Sequence, residues 1–387
     1  MPATPAYAWA SLPGLVLIAV SIASAVLMLA WWRGGLRHQS RPQRVAALAG
    51  LTLFLCFDLV VFGAYTRLSD SGLGCPDWPG CYATASPVAA AQHIATAQAL
   101  APDGPVTEKK AWIEMIHRYF AMTVGLLIIL MLVAAAFVRD ARARAAAADT
   151  SNARDARRAL ILAGVTLAWV VAQGMFGALT VTWKLYPAIV TGHLLGGMGL
   201  LALLAVQAPT RIGANDSVRG ARDRWALGLA ALALLLQVAL GGWVSTNYAV
   251  LACTGFPQCN GQWWPAMNWP EGFTIARELG RRADGLPIAM TALVAIQWTH
   301  RLFAIAFVAA MGWLVARLWK RGGTSRRRAV IIGGLVVMQL LTGLSNVVLG
   351  WPLVAALAHT AGAAALVICM GFEVAALMSR TTRVLSS

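Results

Sequence analysis

Nine long apolar runs constrain this chain more than any other feature of its sequence. Hydrophobic residues make up 59% of the 387 residues and charged residues only 12%. Each run reaches the roughly 20 residues that a helix needs to cross a bilayer, and a lipid-exposed backbone must satisfy its hydrogen bonds internally. We therefore predict an all-α polytopic membrane protein with spans near Ser11–Trp32, Val45–Thr66, Trp112–Val138, Ala159–Val181, Ala188–Ala208, Trp225–Ser245, Ala289–Leu318, Ala329–Leu349 and Leu353–Met378.

The basic residues predict how the chain crosses the membrane. A net charge of +16 would suggest a nucleic-acid partner for a soluble chain, but 22 Lys and Arg lie in the segments after the odd-numbered spans and 7 in the alternate segments. Basic loops stay in the cytoplasm, so the N-terminus is predicted to be periplasmic and the C-terminus cytoplasmic. The first span has its basic flank on the C-terminal side, which favours a retained helix over a cleaved signal peptide. No nucleic-acid partner is expected.

The sequence also repeats itself. Cys75 and Cys81 recur 178 residues later as Cys253 and Cys259, and the surroundings of the histidines recur as well. Spans two to five and six to nine thus form a parallel repeat, with each half predicted to be an up-down four-helix bundle. The predicted units are an extra N-terminal helix and loop (1–44), a first half (45–210) and a second half (211–387).

Four histidines within the apolar runs form two repeat-matched pairs, His117 with His193 and His300 with His359. Ionisable groups inside a membrane are usually functional, and neutral imidazole is the usual protein ligand of haem iron. A lone intramembrane histidine more often makes an interhelical hydrogen bond. The repeat, however, favours two haem-like sites, each with one histidine pair as metal ligands.

The residues beside the first histidine of each pair differ between the halves. Glu114 lies three residues before His117 on the same helix face, where a carboxylate can accept a proton; the alternative is an interfacial carboxylate facing headgroups. Gln297, which cannot take up a proton, stands at the matching position. Arg118 and Arg301 follow the histidines and can pair with a haem propionate or snorkel to lipid phosphate.

The four matched cysteines share C-x₅-C spacing in two loops. We call the loop between the second and third spans the first cysteine loop, and the loop between the sixth and seventh spans the second cysteine loop. A periplasmic location permits disulfides, and pairing within each loop is the simplest connectivity. A zinc site is less favoured because neither loop supplies further ligands nearby. The disulfides are either structural staples or a redox relay. Asp58, within the second span, should pair with a polar neighbour or face the bundle interior.

The run from Gly63 to Cys81 resembles the first outer loop of the haem A synthases of the cytochrome oxidase assembly pathway, and the segments around the four histidines resemble that family's motifs. The quoted motifs are Glu114-Met115-Ile116-His117-Arg118, Thr191-Gly192-His193, Thr299-His300-Arg301 and Ala358-His359-Thr360. The resemblance covers about residues 45–378. The bacterial members have eight spans with both ends inside, so this chain has one span more.

The resemblance implies an enzyme of the bacterial inner membrane that oxidises the C8 methyl of haem O to a formyl group with oxygen derived from water. It implies haem b as cofactor between His300 and His359, haem O as substrate between His117 and His193, and Glu114 as a catalytic residue. The implied partners are haem O, the haem O synthase that supplies it, an unidentified electron acceptor and membrane lipid. Self-association into a homo-oligomer is left open.

Two other classes are consistent with parts of the pattern. A dihaem b-type cytochrome, passing electrons between quinol and a partner, would need the four histidines but not an acid in one half alone. A transporter would share the parallel repeat but should carry helix-breaking residues near mid-membrane. The prolines here lie in loops and at span ends.

Overall fold

The computed structural model describes residues 9–33, 40–145, 150–208, 220–282 and 284–384. Within these ranges the chain is helical and contains no β-strand. Two isolated β-bridges close matched turns in the two cysteine loops, Cys81 with Thr84 and Cys259 with Gln262. The predicted all-α class is confirmed for the described part of the chain.

The helices match the nine predicted spans. Nine helices in the described ranges are long and apolar enough to cross a membrane, while α3 and α8 are short helices within the cysteine loops. The full set is α1 (Leu12–Trp32), α2 (Arg41–Leu68), α3 (Ala91–Leu100), α4 (Glu108–Ala145), α5 (Thr150–Thr182), α6 (Pro187–Gln207), α7 (Ala221–Thr246), α8 (Trp269–Gly272), α9 (Met290–Trp319), α10 (Gly323–Val348) and α11 (Leu353–Val384).

The chain divides into two compact units. The first comprises residues 1–182, 199–210 and 382–387, and the second comprises 183–198 and 211–381, each as far as it is described. The basic segments at 34–39 and 209–219 lie outside the described residues. Part of the predicted orientation, and the predicted boundary between 210 and 211, rest on those segments.

In the first unit, α4 is the central helix and packs against α1, α2, α3 and α5. The extra N-terminal helix α1 buries Leu15, Ala19 and Ala23, which are spaced four residues apart and therefore share one face. Leu15 joins a hydrophobic cluster with both cysteines of the first loop and with Met115 of α4. Helix α1 thus covers the first cysteine loop.

In the second unit, α7, α9, α10 and α11 share one hydrophobic core. Small residues of α7, such as Ala226 and Ala230, allow close approach to Met311 and Leu314 of α9. The core is completed by Ile332 of α10 and by residues of α11. These contacts hold α7 and α10, which face the two histidines described below, against α9 and α11.

The acidic residues of these helices differ in their ion pairing and in their exposure. Asp223 pairs with Arg317 at 2.6 Å and also with Arg321, and the buried Glu373 pairs with Arg328 at 2.7 Å. Asp58 is instead exposed on α2. The expectation that Asp58 faces the bundle interior is therefore wrong, because its position on α2 points it away from the faces that α2 buries.

Candidate functional site

His300 lies on α9 opposite two residues of α7. A Cβ atom added to Gly241 would lie 3.1 Å from Cε1 of His300, closer than real side chains pack. Gln237, one turn earlier on α7, places its Nε2 3.3 Å from Nδ1 and 3.4 Å from Nε2 of the imidazole. The glycine gives the ring its space, and the glutamine amide fixes where the ring lies.

His359 lies on α11 opposite the same arrangement on α10. A Cβ at Gly343 would lie 3.2 Å from Cε1 of His359, and Gln339 donates a 2.8 Å hydrogen bond to the His359 carbonyl. Gln237 with Gly241 and Gln339 with Gly343 therefore form matched pairs, spaced four residues apart on the helix that faces each histidine.

A threonine selects the tautomer of His359. Thr342 Oγ1 lies 3.0 Å from Nδ1 of His359 and already donates its own proton to the Met338 carbonyl at 2.7 Å. With the hydroxyl proton on the Met338 carbonyl, Nδ1–H of His359 is the donor to Thr342, and the lone pair lies on Nε2. A hydrogen bond of this kind to the second nitrogen is typical of metal-ligating histidines.

The His300 and His359 pair fits a haem iron. The two imidazoles both lie in the second unit, each against a glycine of the facing helix. No group of three or more His, Cys, Asp or Glu side chains suited to a metal ion occurs among the described residues. A pair of neutral imidazoles suits haem, in which the macrocycle supplies the other iron ligands, and both glycines keep the ring edges clear.

His117 and His193 lie in different units and are described separately. His117 of α4 faces Gly63 of α2, where an added Cβ would lie 2.9 Å from its Nε2. The contacts of Gly63 with His117 and of Gly241 with His300 are therefore matched between the two halves. Beside His193 on α6, Thr191 is hydrogen-bonded to Thr246 at 3.1 Å. The pairing of His117 with His193 stays a prediction.

Glu114 and Arg118 attach the first cysteine loop to α4. Glu114 accepts a 2.8 Å hydrogen bond from the backbone N–H of Cys75 and forms a direct ion pair with Arg118. Arg118 also donates to the carbonyls of Asp77, at 2.8 Å, and of Gly80. Both side chains are buried, with 4% and 8% exposed. Arg118 thus binds loop carbonyls and the Glu114 carboxylate, its pairing with a haem propionate stays a prediction, and the buried Glu114 does not face headgroups.

Arg301 holds the second cysteine loop in the same way. It donates to the Cys253 carbonyl at 2.6 Å and to the Gly255 carbonyl at 2.9 Å. Gln297, at the position of Glu114, forms no bond to Arg301, and its buried Oε1 has no hydrogen-bond partner in the described part of the chain. Both halves thus use an arginine to hold the cysteine loop, but only the first half has a carboxylate beside that arginine.

The predicted disulfides are confirmed. Cys75 is bonded to Cys81 and Cys253 to Cys259, and all four side chains are buried. In the first loop, Asp77 also accepts hydrogen bonds from the backbone N–H groups of Tyr82 and Ala83, at 2.6 and 2.7 Å. This contact closes the turn after the disulfide.

Sequence reasoning missed several residues of this arrangement. Gln237 could have been found, because Gln237 and Gly241 repeat the spacing of Gln339 and Gly343. Asp77 and the buried Arg277 carry no such signal, since their roles depend on how irregular loops fold.

The apolar helices, with histidines set against glycines and disulfide-closed loops between the spans, define a polytopic membrane protein. A profile of the cytochrome oxidase assembly protein family matches residues 46–370. A haem A synthase of Shewanella oneidensis is 35% identical over 84% of this chain and 93% of its own length. Those of Symbiobacterium thermophilum and Methylobacterium sp. are 30% and 29% identical, over 67% and 84% of this chain and 75% and 89% of their own lengths. The chain belongs to the haem A synthase family of cytochrome oxidase assembly proteins.

Proposed function

We propose that the chain oxidises the C8 methyl of haem O to the formyl group of haem A, with haem b held by His300 and His359. The chain is an oxidoreductase of the haem A synthase kind, and the shared name of its relatives supports this reading. The observation that carries the haem b site is the His300 and His359 pair, with matched glycines and one tautomer selected by Thr342.

The overall reaction determines how many protons and electrons must leave the site. A methyl group and one water give an aldehyde, four protons and four electrons, so the site needs a proton acceptor and an electron route. Haem b, when bound, supplies a one-electron carrier. The terminal electron acceptor lies outside this chain.

Glu114 is the proposed proton acceptor. It is a carboxylate one helical turn from His117, and the second half has Gln297 in its place. Its two oxygens are oriented by the Cys75 N–H and by Arg118, so its position beside His117 is fixed by the loop. General-base groups must be held in place in this way.

The remaining partners and the location are also proposals. We propose that the enzyme resides in a bacterial inner membrane with its N-terminus periplasmic and receives haem O from the haem O synthase of the same membrane. His117 and His193 are proposed to hold that substrate. The basic residues after the odd-numbered spans support the orientation.

Pigment analysis tests the proposal most simply. The full chain is expressed in a host that makes haem O but lacks its own haem A synthase, and extracted haems are separated by chromatography. Haem A together with a low-spin b-type spectrum is expected. A b-type spectrum without any formyl haem would favour the dihaem electron-transfer cytochrome, and absence of bound haem would contradict both.

A further inference from the structure

Arg277, in the second cysteine loop, is a buried cation that forms no ion pair with any described residue. Its side chain is 3% exposed. It donates to the side-chain oxygen of Asn247 and, at a long 3.5 Å, to the Arg281 carbonyl. Its guanidinium carbon lies 5.8 Å from the centre of the Trp243 ring, and its Nε has no hydrogen-bond partner within the described residues.

The carboxylate of Glu271 does not form an ion pair with Arg277. Glu271 accepts one hydrogen bond from the Ala289 N–H and one from Asn268 Nδ2, both at 2.8 Å, and forms no ion pair with Arg277. Burial lowers the pKa of Arg277, which the charges of Glu271 and Tyr186 oppose. A buried charge that lacks a partner is strongly destabilising.

Arg118 provides the internal comparison. The two arginines are buried to a similar degree, 3% and 8% exposed, but Arg118 has the carboxylate of Glu114 directly against it. Arg277 has a neutral amide in the corresponding role. Its unused Nε lies on the guanidinium edge that it shares with Nη2, and this is an edge through which a carboxylate can bind in a forked pair.

The position of Arg277 relates it to the His300 site. Asn247 follows the last residue of α7 and lies six residues beyond Gly241, the glycine that faces His300. At about 1.5 Å per residue, this is about 9 Å along the helix axis. Arg277, bonded to Asn247, therefore lies at the end of α7 that carries the second cysteine loop, beyond the turn of α7 that faces His300.

We propose that Arg277, with Asn247 and Trp243, forms a binding site for a carboxylate of haem, one of its propionates, at the His300 and His359 site. This inference rests on the proposed function. The bound carboxylate pairs with the Arg277 guanidinium. It thereby orients the macrocycle with its propionate edge toward the second cysteine loop.

The test compares haem with its dimethyl ester, which lacks both carboxylates. The full chain, stripped of haem and carrying His117→Ala to block the substrate site, is titrated with each compound while low-spin absorption is followed. The parent protein is expected to prefer haem. Arg277→Gln should weaken haem binding by about 10- to 100-fold, as expected for a lost charged hydrogen bond, and leave ester binding unchanged.

Two further variants keep the result interpretable. Arg282→Gln removes an exposed arginine that already pairs with Asp284 in the same loop, and it should leave the preference for haem unchanged. Asn247→Asp gives Arg277 an internal carboxylate, so the protein should stay folded while the preference for haem falls.

Several outcomes would overturn the inference. An unchanged haem-to-ester ratio in both Arg277→Gln and Asn247→Asp would show that no propionate is bound there. If Arg277→Gln weakens the binding of haem and of its ester equally, Arg277 serves only the structure of the loop. If the parent protein loses its preference for haem over the ester when lipid is added back, Arg277 binds lipid phosphate. Failure of the parent to bind either compound would instead count against the proposed haem b site.

Discussion

The two cysteine loops are fastened to the helices by the same device, with one difference. Arg118 and Arg301 each follow a histidine and each donate to loop carbonyls two residues after the first cysteine, those of Asp77 and Gly255. In the first half Glu114 adds an ion pair and a bond to the Cys75 N–H. In the second half Gln297 makes neither contact.

The difference helps to distinguish residues that attach a cysteine loop from residues proposed to take part in the reaction. Because the second loop is held with a glutamine at this position, a carboxylate is not required to attach such a loop. We propose that the acid of the first half has a further use, which is proton acceptance. The second half also has a contact that the first half cannot form. Thr342 is hydrogen-bonded to His359, whereas the first half has Phe176 at the matching position.

The largest expected effect separates the two histidine pairs. His359→Ala, or His300→Ala, should abolish the low-spin b-type absorption of the purified protein, because one axial ligand is lost. His117→Ala should keep that absorption and lose haem A formation. His93→Ala, which removes a histidine stacked on Tyr82 in the first loop, serves as the control and should change neither. A normal b-type spectrum in His359→Ala would refute the ligand assignment.

Removing the clamp arginines should affect the halves unequally. Arg118→Ala leaves Glu114 buried without its partner and should cost about 3–5 kcal/mol. Arg301→Ala breaks only hydrogen bonds to carbonyls and should cost about 1–2 kcal/mol. Thermal unfolding of both variants in the same detergent measures the difference. Equal losses would show that the ion pair adds nothing to the loop attachment.

The orientation of His359 can be tested through its hydrogen bond. Thr342→Val keeps the shape of the side chain but removes the acceptor for Nδ1–H. Haem affinity at the second site should fall by about 10- to 100-fold, as for other partners of metal-ligating histidines. Thr360→Val, on α11 itself and bonded only to the Ala356 carbonyl, is the matched control. If both variants bind haem equally well, Thr342 does not select the tautomer.

The smallest expected effect on activity concerns the disulfides. Replacing Cys75 and Cys81 by serine, or Cys253 and Cys259, should lower stability by about 2 kcal/mol in each case. If both bonds are staples, specific activity per folded molecule should change little in either double variant. Loss of activity in the first double variant alone, at matched stability, would support the redox relay.

Much of the fold follows from the sequence, but the site follows only in part. The nine spans, the disulfides and the repeat-matched histidines are set by apolar length and by spacing, which can be counted along the chain. The bond between Glu114 and Cys75 depends on the path of an irregular loop, and the burial of Arg277 depends on packing of another. Leu15 of α1 packs on the first cysteine loop, but in the sequence it resembles any other apolar residue of a span, so this contact could not be predicted.

Haem A formation by Glu114→Gln tests the central claim most directly. The change keeps the size of the side chain and reproduces the Gln–Arg arrangement that the second half already tolerates, and Gln297→Ala is its control. We expect haem A per haem b-loaded molecule to fall by about 10²–10⁴ in Glu114→Gln and to stay near normal in Gln297→Ala, with haem b retained in both. Near-normal haem A formation by Glu114→Gln would contradict the account, and Glu114 would then serve only to hold the first cysteine loop.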